Sequence, residues 1–235
     1  MKLRSARMGV DRSDPRAGFH QQWRQFTKMS RVPRVPDGHT AGMHEEQPPP
    51  IDAASAVQAV VRRRRTSLLV DPEREVPAEV IDHLIELACW APNHKRTWPW
   101  RFTVLTGDAR ARFGEALAAV ASADGAPPEK VAKLRVKYLR SPVVLLVWVA
   151  VADDEVRARE DRDAVAAATQ TLLLAATSVG LGNYWATIPD ALWDPARRLA
   201  GLDPDHELVA LVYLGWPTGE VAAPPRPAPE VTRLD

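Results

Sequence analysis

From Ser55 onward the chain alternates between helical and strand-like patterns of apolar residues. Ser55 caps a short predicted helix carrying Ala56, Val57, Val60 and Val61, which runs into Arg62-Arg63-Arg64-Arg65. Pro77 opens a second helix at its first turn, where its missing N–H costs nothing. Val80, Ile81, Leu84, Ile85, Leu87 and Ala88 then recur at helical spacing until Pro92. Trp100 to Leu105 alternates as a strand does, and helices are expected over about Ala109–Ala123 and Pro128–Leu139. Val143 to Val151 is β-rich and apolar throughout, the pattern of a strand covered on both faces. Ala164 to Val179 reads as a nearly all-apolar helix, expected to be buried, with Gly180 beyond its end. A short strand (Asn183 to Ile188), a short helix (Pro195–Ala200) and a second buried strand (Leu208 to Leu214) complete the pattern. The mixed order predicts an α+β or α/β sheet with helices on both faces.

Residues 1–54 are different in kind. They are poor in aliphatics, contain Pro33, Pro36 and Pro48-Pro49-Pro50, and carry about +4 over the first fifty positions against −3 for the rest. Such a segment cannot bury enough apolar surface to offset its ordering entropy, so it is expected to be disordered. Translation starting at Met43, with the preceding residues mis-annotated, is a second reading, and an arm wrapping a partner subunit a third. One globular domain, residues 55–235, follows.

Composition narrows the function classes. The 235 residues hold 31 Lys and Arg against 30 Asp and Glu, a net charge of +1 that makes no general case for nucleic acid or anionic membrane. One cysteine, Cys89, excludes an internal disulfide or a cysteine metal cluster. The longest apolar run, Val143 to Ala152, is too short to span a bilayer, and no secretory signal is apparent; a cytoplasmic protein is the default expectation.

Three segments carry candidate chemistry. Four consecutive arginines run round every face of a helix end, so at least one points at the body of the protein, where it requires an anion; phosphate accepts its planar fork bidentately. Ala91-Pro92-Asn93-His94-Lys95-Arg96-Thr97-Trp98-Pro99-Trp100 places donors and flat aromatic faces in one loop between elements, with no ligand partner for His94 at metal spacing. Gly180-Leu181-Gly182-Asn183-Tyr184-Trp185-Ala186-Thr187 joins a buried helix to a strand through two glycines, which lets backbone approach a ligand. The element order is the reverse of a dinucleotide fingerprint, and no P-loop or nucleophile elbow occurs.

Together these segments resemble the nitroreductase family of FMN-dependent NAD(P)H oxidoreductases, closest to its short single-module branch with an A-P-x-H-K segment. The matching residues are Arg64-Arg65-Thr66, Ala91-Pro92-x-His94-Lys95 with Pro99-Trp100, the helix ending at Gly180 with Gly182 and Trp185, and Tyr213-Leu214-Gly215-x-Pro217. The resemblance implies an α+β fold with a central, mostly antiparallel sheet flanked by helices, and an intertwined homodimer with FMN in its interface. It implies that Arg64, Arg65 and Thr66, with Arg63 open as an alternative by one position, hold the FMN phosphate, assisted by Arg226. Trp90 and His94 would reach the flavin from the partner subunit, and Trp185, Ala186 and Thr187 would line its ring. Ala175, Ala176, Thr177, Ser178, Val179 and Gly180 would border NADH or NADPH. A nitroaromatic, quinone or similar small molecule would be the electron acceptor. Two departures stand out: Trp98 replaces a frequent Gln, and Ala186 a frequent Arg, which predicts a smaller, less charged pocket. The same flavin fold with other chemistry, such as flavin fragmentation or dehydrogenation, and non-catalytic nucleotide or nucleic-acid binding through the arginine block are the rival readings.

Overall fold

The structure, a computed structural model, describes residues 53–234. The expectations for residues 1–54 therefore lie outside the described residues, apart from the first turn of a helix. The elements are α1 (Ala53–Arg63), α2 (Ala78–Ala88), β1 (Trp100–Leu105), α3 (Asp108–Ala123), α4 (Pro128–Lys137), β2 (Val143–Ala150), α5 (Glu155–Ser178), β3 (Gly182–Ala186), α6 (Trp193–Ala200) and β4 (His206–Gly215).

The four strands form one sheet in the order β1-β2-β4-β3, every neighbouring pair antiparallel. The register pairs Trp100 with Val149, Val143 with Leu214, and Tyr184 with Tyr213. Successive side chains of a strand point to opposite faces, and β2 is apolar at both parities. Val143, Leu145, Val147 and Val149 therefore pack with Leu84 of α2 and Leu172 of α5. Val144, Leu146 and Trp148 pack on the other face with Phe113 and Leu117 of α3 and with Tyr138. This is the expected helix–sheet–helix arrangement, with an antiparallel sheet.

Several boundaries differ from the sequence expectation, two of them beside the candidate site. α5 begins at Glu155, two and a half turns before Ala164, with Asp154 as N-cap accepting from the backbone N–H of Arg157 at 2.8 Å. The polar run from Glu155 to Asp163 hides these turns because apolar periodicity is absent there, while the cap fixes the start. Nor is α5 buried all round. Val165, Ala168, Leu172 and Ala176 are in the core, but Gln170 and Ser178 are exposed and Ala167, Thr171 and Leu174 are only half-buried, a stripe at helical spacing along one face. The predicted strand to Ile188 ends at Ala186, and Ile188 turns into the core on the α3 face.

The chain after α1 runs beside the outer strand β3. Thr66 bridges Asn183 in parallel, Ser67 N–H donates to the Asn183 carbonyl at 2.9 Å, and Val70 bridges Pro217. Two glycines permit this approach: a Cβ on Gly182 would lie 2.8 Å from Val70 Cγ1, and one on Gly215 would lie 2.8 Å from Pro142 Cδ and 3.0 Å from Val70 Cβ. This path brings the arginine block to the sheet edge. No helix among the described residues is long and apolar enough to cross a membrane.

Candidate functional site

The arginines divide their work. Arg63 Nη2 donates to the carbonyl of Thr177 at 2.7 Å, in the last turn of α5, where a cation meets unsatisfied carbonyls and the negative end of the helix dipole. Arg65 Nη1 donates to the carbonyls of Arg62 and Arg64, at 2.5 and 2.8 Å, yet its Nε is buried and has no partner among the described residues. Arg64 is half-buried, and its pKa is pushed down by burial first, then by Arg226 and Arg65. Three cations, Arg64, Arg65 and Arg226, thus gather from the end of α1 and the C-terminal tail. None is ion-paired with a carboxylate among the described residues. Beside them is a cavity of about 440 Å³ bordered by Arg63, Arg65, Asn183 and Gly180, with Glu220 also in its lining. Like charges with no carboxylate in ion-pair distance fit a polyanionic group such as a phosphate monoester.

The same edge continues into the third candidate segment. The Asn183 carbonyl faces outward to Ser67, and alternation along a strand turns the backbone N–H and C=O of Trp185 to that edge as well. Past Ser67, no backbone partner covers them there among the described residues. Trp185 packs on the α5 face, and Tyr184 and Ala186 on the opposite one. Trp185 to Thr187 lies two to four residues beyond Asn183, hence ~7–13 Å along the strand from the arginines.

The loop after α2 is anchored elsewhere. Asn93 Nδ2 donates to Thr97 Oγ1 at 2.9 Å, Trp98 N–H donates to Asn93 Oδ1 at 2.9 Å, and the Thr97 hydroxyl donates to the buried carboxylate of Asp161. This network holds three non-glycine residues, Lys95, Arg96 and Trp98, at positive φ (61°, 56° and 51°), a conformation that costs of order 1–3 kcal/mol per residue and persists only where surroundings impose it. His94 Nδ1 lies 2.8 Å from Glu160 Oε2, and Trp90 Nε1 donates to Glu86 at 2.6 Å, leaving the Trp90 and Trp98 rings 78% and 54% exposed. Two large aromatic faces thus stand in water beside a conformationally fixed loop.

Within one chain the sequence candidates therefore form two groups. Arg63, Arg64, Arg65, Thr66, Arg226, Trp185, Ala186 and Thr187 share the β3 edge; Trp90 and His94 stand at the N-terminal half of α5. Of the proposed nicotinamide-bordering residues, Ala175, Ala176 and Thr177 are buried, Val179 is half-buried against the core, and Ser178 and Gly180 are exposed. The pocket at Ala186 is not poor in charge, contrary to the expectation from its missing arginine: Lys137 and Arg140, from the end of α4, line a cavity of about 420 Å³ with Tyr184, Ala186, Thr187 and Tyr213. Sequence reading missed these cations, and equally the Thr97–Asp161 contact, because nothing in local spacing connects them to the site.

Comparison with known proteins identifies the fold and the family. The family model "Nitroreductase family" matches residues 61–216. The Escherichia coli (strain K12) protein named "Putative NAD(P)H nitroreductase YdjA" is 26% identical over 181 residues, covering 75% of this chain and 98% of that one. The 5,6-dimethylbenzimidazole synthase of Rhodospirillum rubrum is 30% identical over 175 residues, 68% of this chain and 79% of that one. Among solved structures, a nitroreductase-like family protein from Bacillus cereus superposes with a TM-score of 0.64 at 22% identity, over 73% of this chain and 91% of that one. The FMN-dependent nitroreductase NfnB from Mycobacterium smegmatis, solved with NADPH, superposes with a TM-score of 0.57 at 22% identity, over 71% and 90%. Motif order, sheet topology and a family match through nearly all of the described elements agree, and the chain belongs to the nitroreductase family.

Proposed function

We propose that this protein is an FMN-dependent oxidoreductase that takes reducing equivalents from NADH or NADPH and delivers them to a small organic acceptor, a nitroaromatic or quinone. The observation that carries this reading is the unpaired cluster of Arg64, Arg65 and Arg226 at the end of an open strand edge. FMN, when bound, supplies the hydride-accepting and electron-donating chemistry. The protein's own residues bind and orient. Arg64, Arg65 and Arg226 hold the phosphate, and the buried Nε of Arg65 supplies a donor that has no other use. The outward N–H of Trp185 offers a fixed hydrogen bond to the ring edge, and Trp185 to Thr187 form one wall. Ser178 to Gly180 border the reductant.

The homodimer belongs to the same reading. The stripe of α5 at Ala167, Gln170, Thr171 and Leu174 is half-buried or exposed in one chain, and its two small residues, Ala167 and Thr171, leave room for a second copy to approach. Trp90 and His94 then come to the flavin from the partner, since the two groups of residues stand at opposite ends of α5 within one chain.

The relative named as a 5,6-dimethylbenzimidazole synthase favours a second reading, the same cofactor used for another chemistry. Purified protein should be yellow and release FMN on denaturation, and anaerobic NADPH should bleach it stoichiometrically, with 4-nitrobenzoate or menadione restoring the colour. Tight FMN without reduction by NADH or NADPH would favour the second reading. Bound FAD, or no flavin after reconstitution, would overturn both.

A further inference from the structure

The end of α4 carries chemistry that flavin binding leaves unused. Lys137 and Arg140 face the cavity of about 420 Å³ whose far side is Ala186 and Thr187, the segment assigned above to the ring wall. Neither cation has a carboxylate within ion-pair distance among the described residues. The Lys137 ammonium is half-buried, 5.7 Å from the centroid of the Tyr138 ring, and burial followed by the nearby Arg140 pushes its pKa down. Such a group is starved of anionic company.

A buried hydroxyl completes the arrangement. Tyr213, 2% exposed, lines the same cavity, and its hydroxyl has no hydrogen-bond partner in the described structure. The hydroxyl of the fully buried Tyr138, whose ring stacks on Tyr213 at 6.4 Å, is likewise unpartnered. Burial raises the pKa of both phenols, so each keeps its proton and remains a donor at neutral pH. Buried polar atoms are nearly always paired; a buried donor without a partner, on a tyrosine that borders a cavity beside two cations with no carboxylate in ion-pair distance, marks the place of an acceptor.

We infer that Lys137, Arg140 and the Tyr213 hydroxyl form an oxyanion subsite that binds the carboxylate or phosphate of a substrate reacting beside Ala186 and Thr187. The placement rests on the flavin reading above; the anion-binding chemistry of the cavity does not. Two sources carry such a group, an acceptor with a carboxylate and the phosphates of the reducing dinucleotide.

Calorimetric titration of purified full-length protein with 4-nitrobenzoate and its neutral isostere 4-nitrobenzamide tests the subsite directly. Wild type is expected to bind the acid at least tenfold more tightly, with that preference falling below twofold in the Lys137→Gln/Arg140→Gln variant. Tyr213→Phe, which removes only a hydroxyl, is expected to reduce it about threefold or more at an unchanged circular dichroism spectrum. In turnover, a collapse of the acid-to-amide ratio of kcat/KM places the acceptor in the subsite, and a collapse of the NADPH-to-NADH ratio places the reductant's phosphate there. Equal binding of acid and amide by wild type, with neither turnover ratio changed in the variants, overturns the inference. Changed FMN affinity as the sole effect of the variants gives the cations to the cofactor and overturns it as well. A protein that takes up no flavin refutes the proposed function, while the titration still decides the subsite.

Discussion

Arg63 and His94 are tied to opposite ends of one helix: Arg63 donates to the Thr177 carbonyl at 2.7 Å, and His94 lies 2.8 Å from Glu160. At 1.5 Å per residue the two anchor points on α5 are about 25 Å apart. The strand-edge arginines and the His94 loop therefore lie near different ends of α5 in a single chain, and in the homodimer proposed above a site using both would take one from each of two chains. Mixing an Arg64→Ala/Arg65→Ala chain with a His94→Ala chain, each poorly active alone, should restore activity when subunits exchange, because one heterodimer contains one intact site. Full activity in a demonstrated monomer would disprove shared sites.

The arginine cluster makes its own prediction. Charge-assisted hydrogen bonds are worth about 1.5–3 kcal/mol each, so Arg64→Gln/Arg65→Gln should weaken FMN binding by about 3 kcal/mol or more, over a hundredfold in Kd. Riboflavin lacks the phosphate, and its affinity should change little. Flavin fluorescence titration with both ligands checks this, and an equal loss for both would assign the arginines a structural role.

Thr97 holds the loop by its hydroxyl. Thr97→Val keeps the shape but removes a donor from the 3% exposed Asp161 carboxylate, at a cost of about 1–3 kcal/mol. The melting temperature should fall by several degrees. Thr97→Ser, which keeps the hydroxyl, should recover most of the loss.

Gly114 is where α3 meets α4. A Cβ at this position would stand 2.5 Å from the Arg135 carbonyl oxygen and 3.0 Å from that of Leu134, both backbone and unable to turn aside. Gly114→Ala should therefore destabilise by about 1–3 kcal/mol as an overpacked site, despite alanine's better helix propensity. Denaturant unfolding gives the value directly.

Cys89 should be a sluggish nucleophile. Burial, then the neighbouring Glu86, pushes its thiol pKa up, so less thiolate exists at any given pH. Alkylation by iodoacetamide at pH 8 should be slower than for a free thiol and should keep accelerating as pH rises beyond the range where the free thiol levels off. Unfolding in urea should abolish the difference.

Local pattern was sufficient for much of this molecule. The apolar periodicity of Val80 to Ala88, the two-faced apolar run at Val143 and the glycine after Val179 mark elements whose burial each sequence segment dictates by itself. The arginine block, the His94 loop and the Gly180 to Thr187 segment were likewise legible as chemistry, since charge, donors and glycines announce themselves without partners. The first turns of α5 were not, because a polar surface helix has no apolar stripe to read and its start depends on one cap. Only packing decided that Arg63 serves Thr177 while Arg64 is brought near Arg226, that Thr97 closes on Asp161, and that Lys137 and Arg140 charge the pocket beside Ala186. Each of those contacts joins residues far apart in the chain, and their proximity follows from sheet order and helix length, which no local spacing encodes.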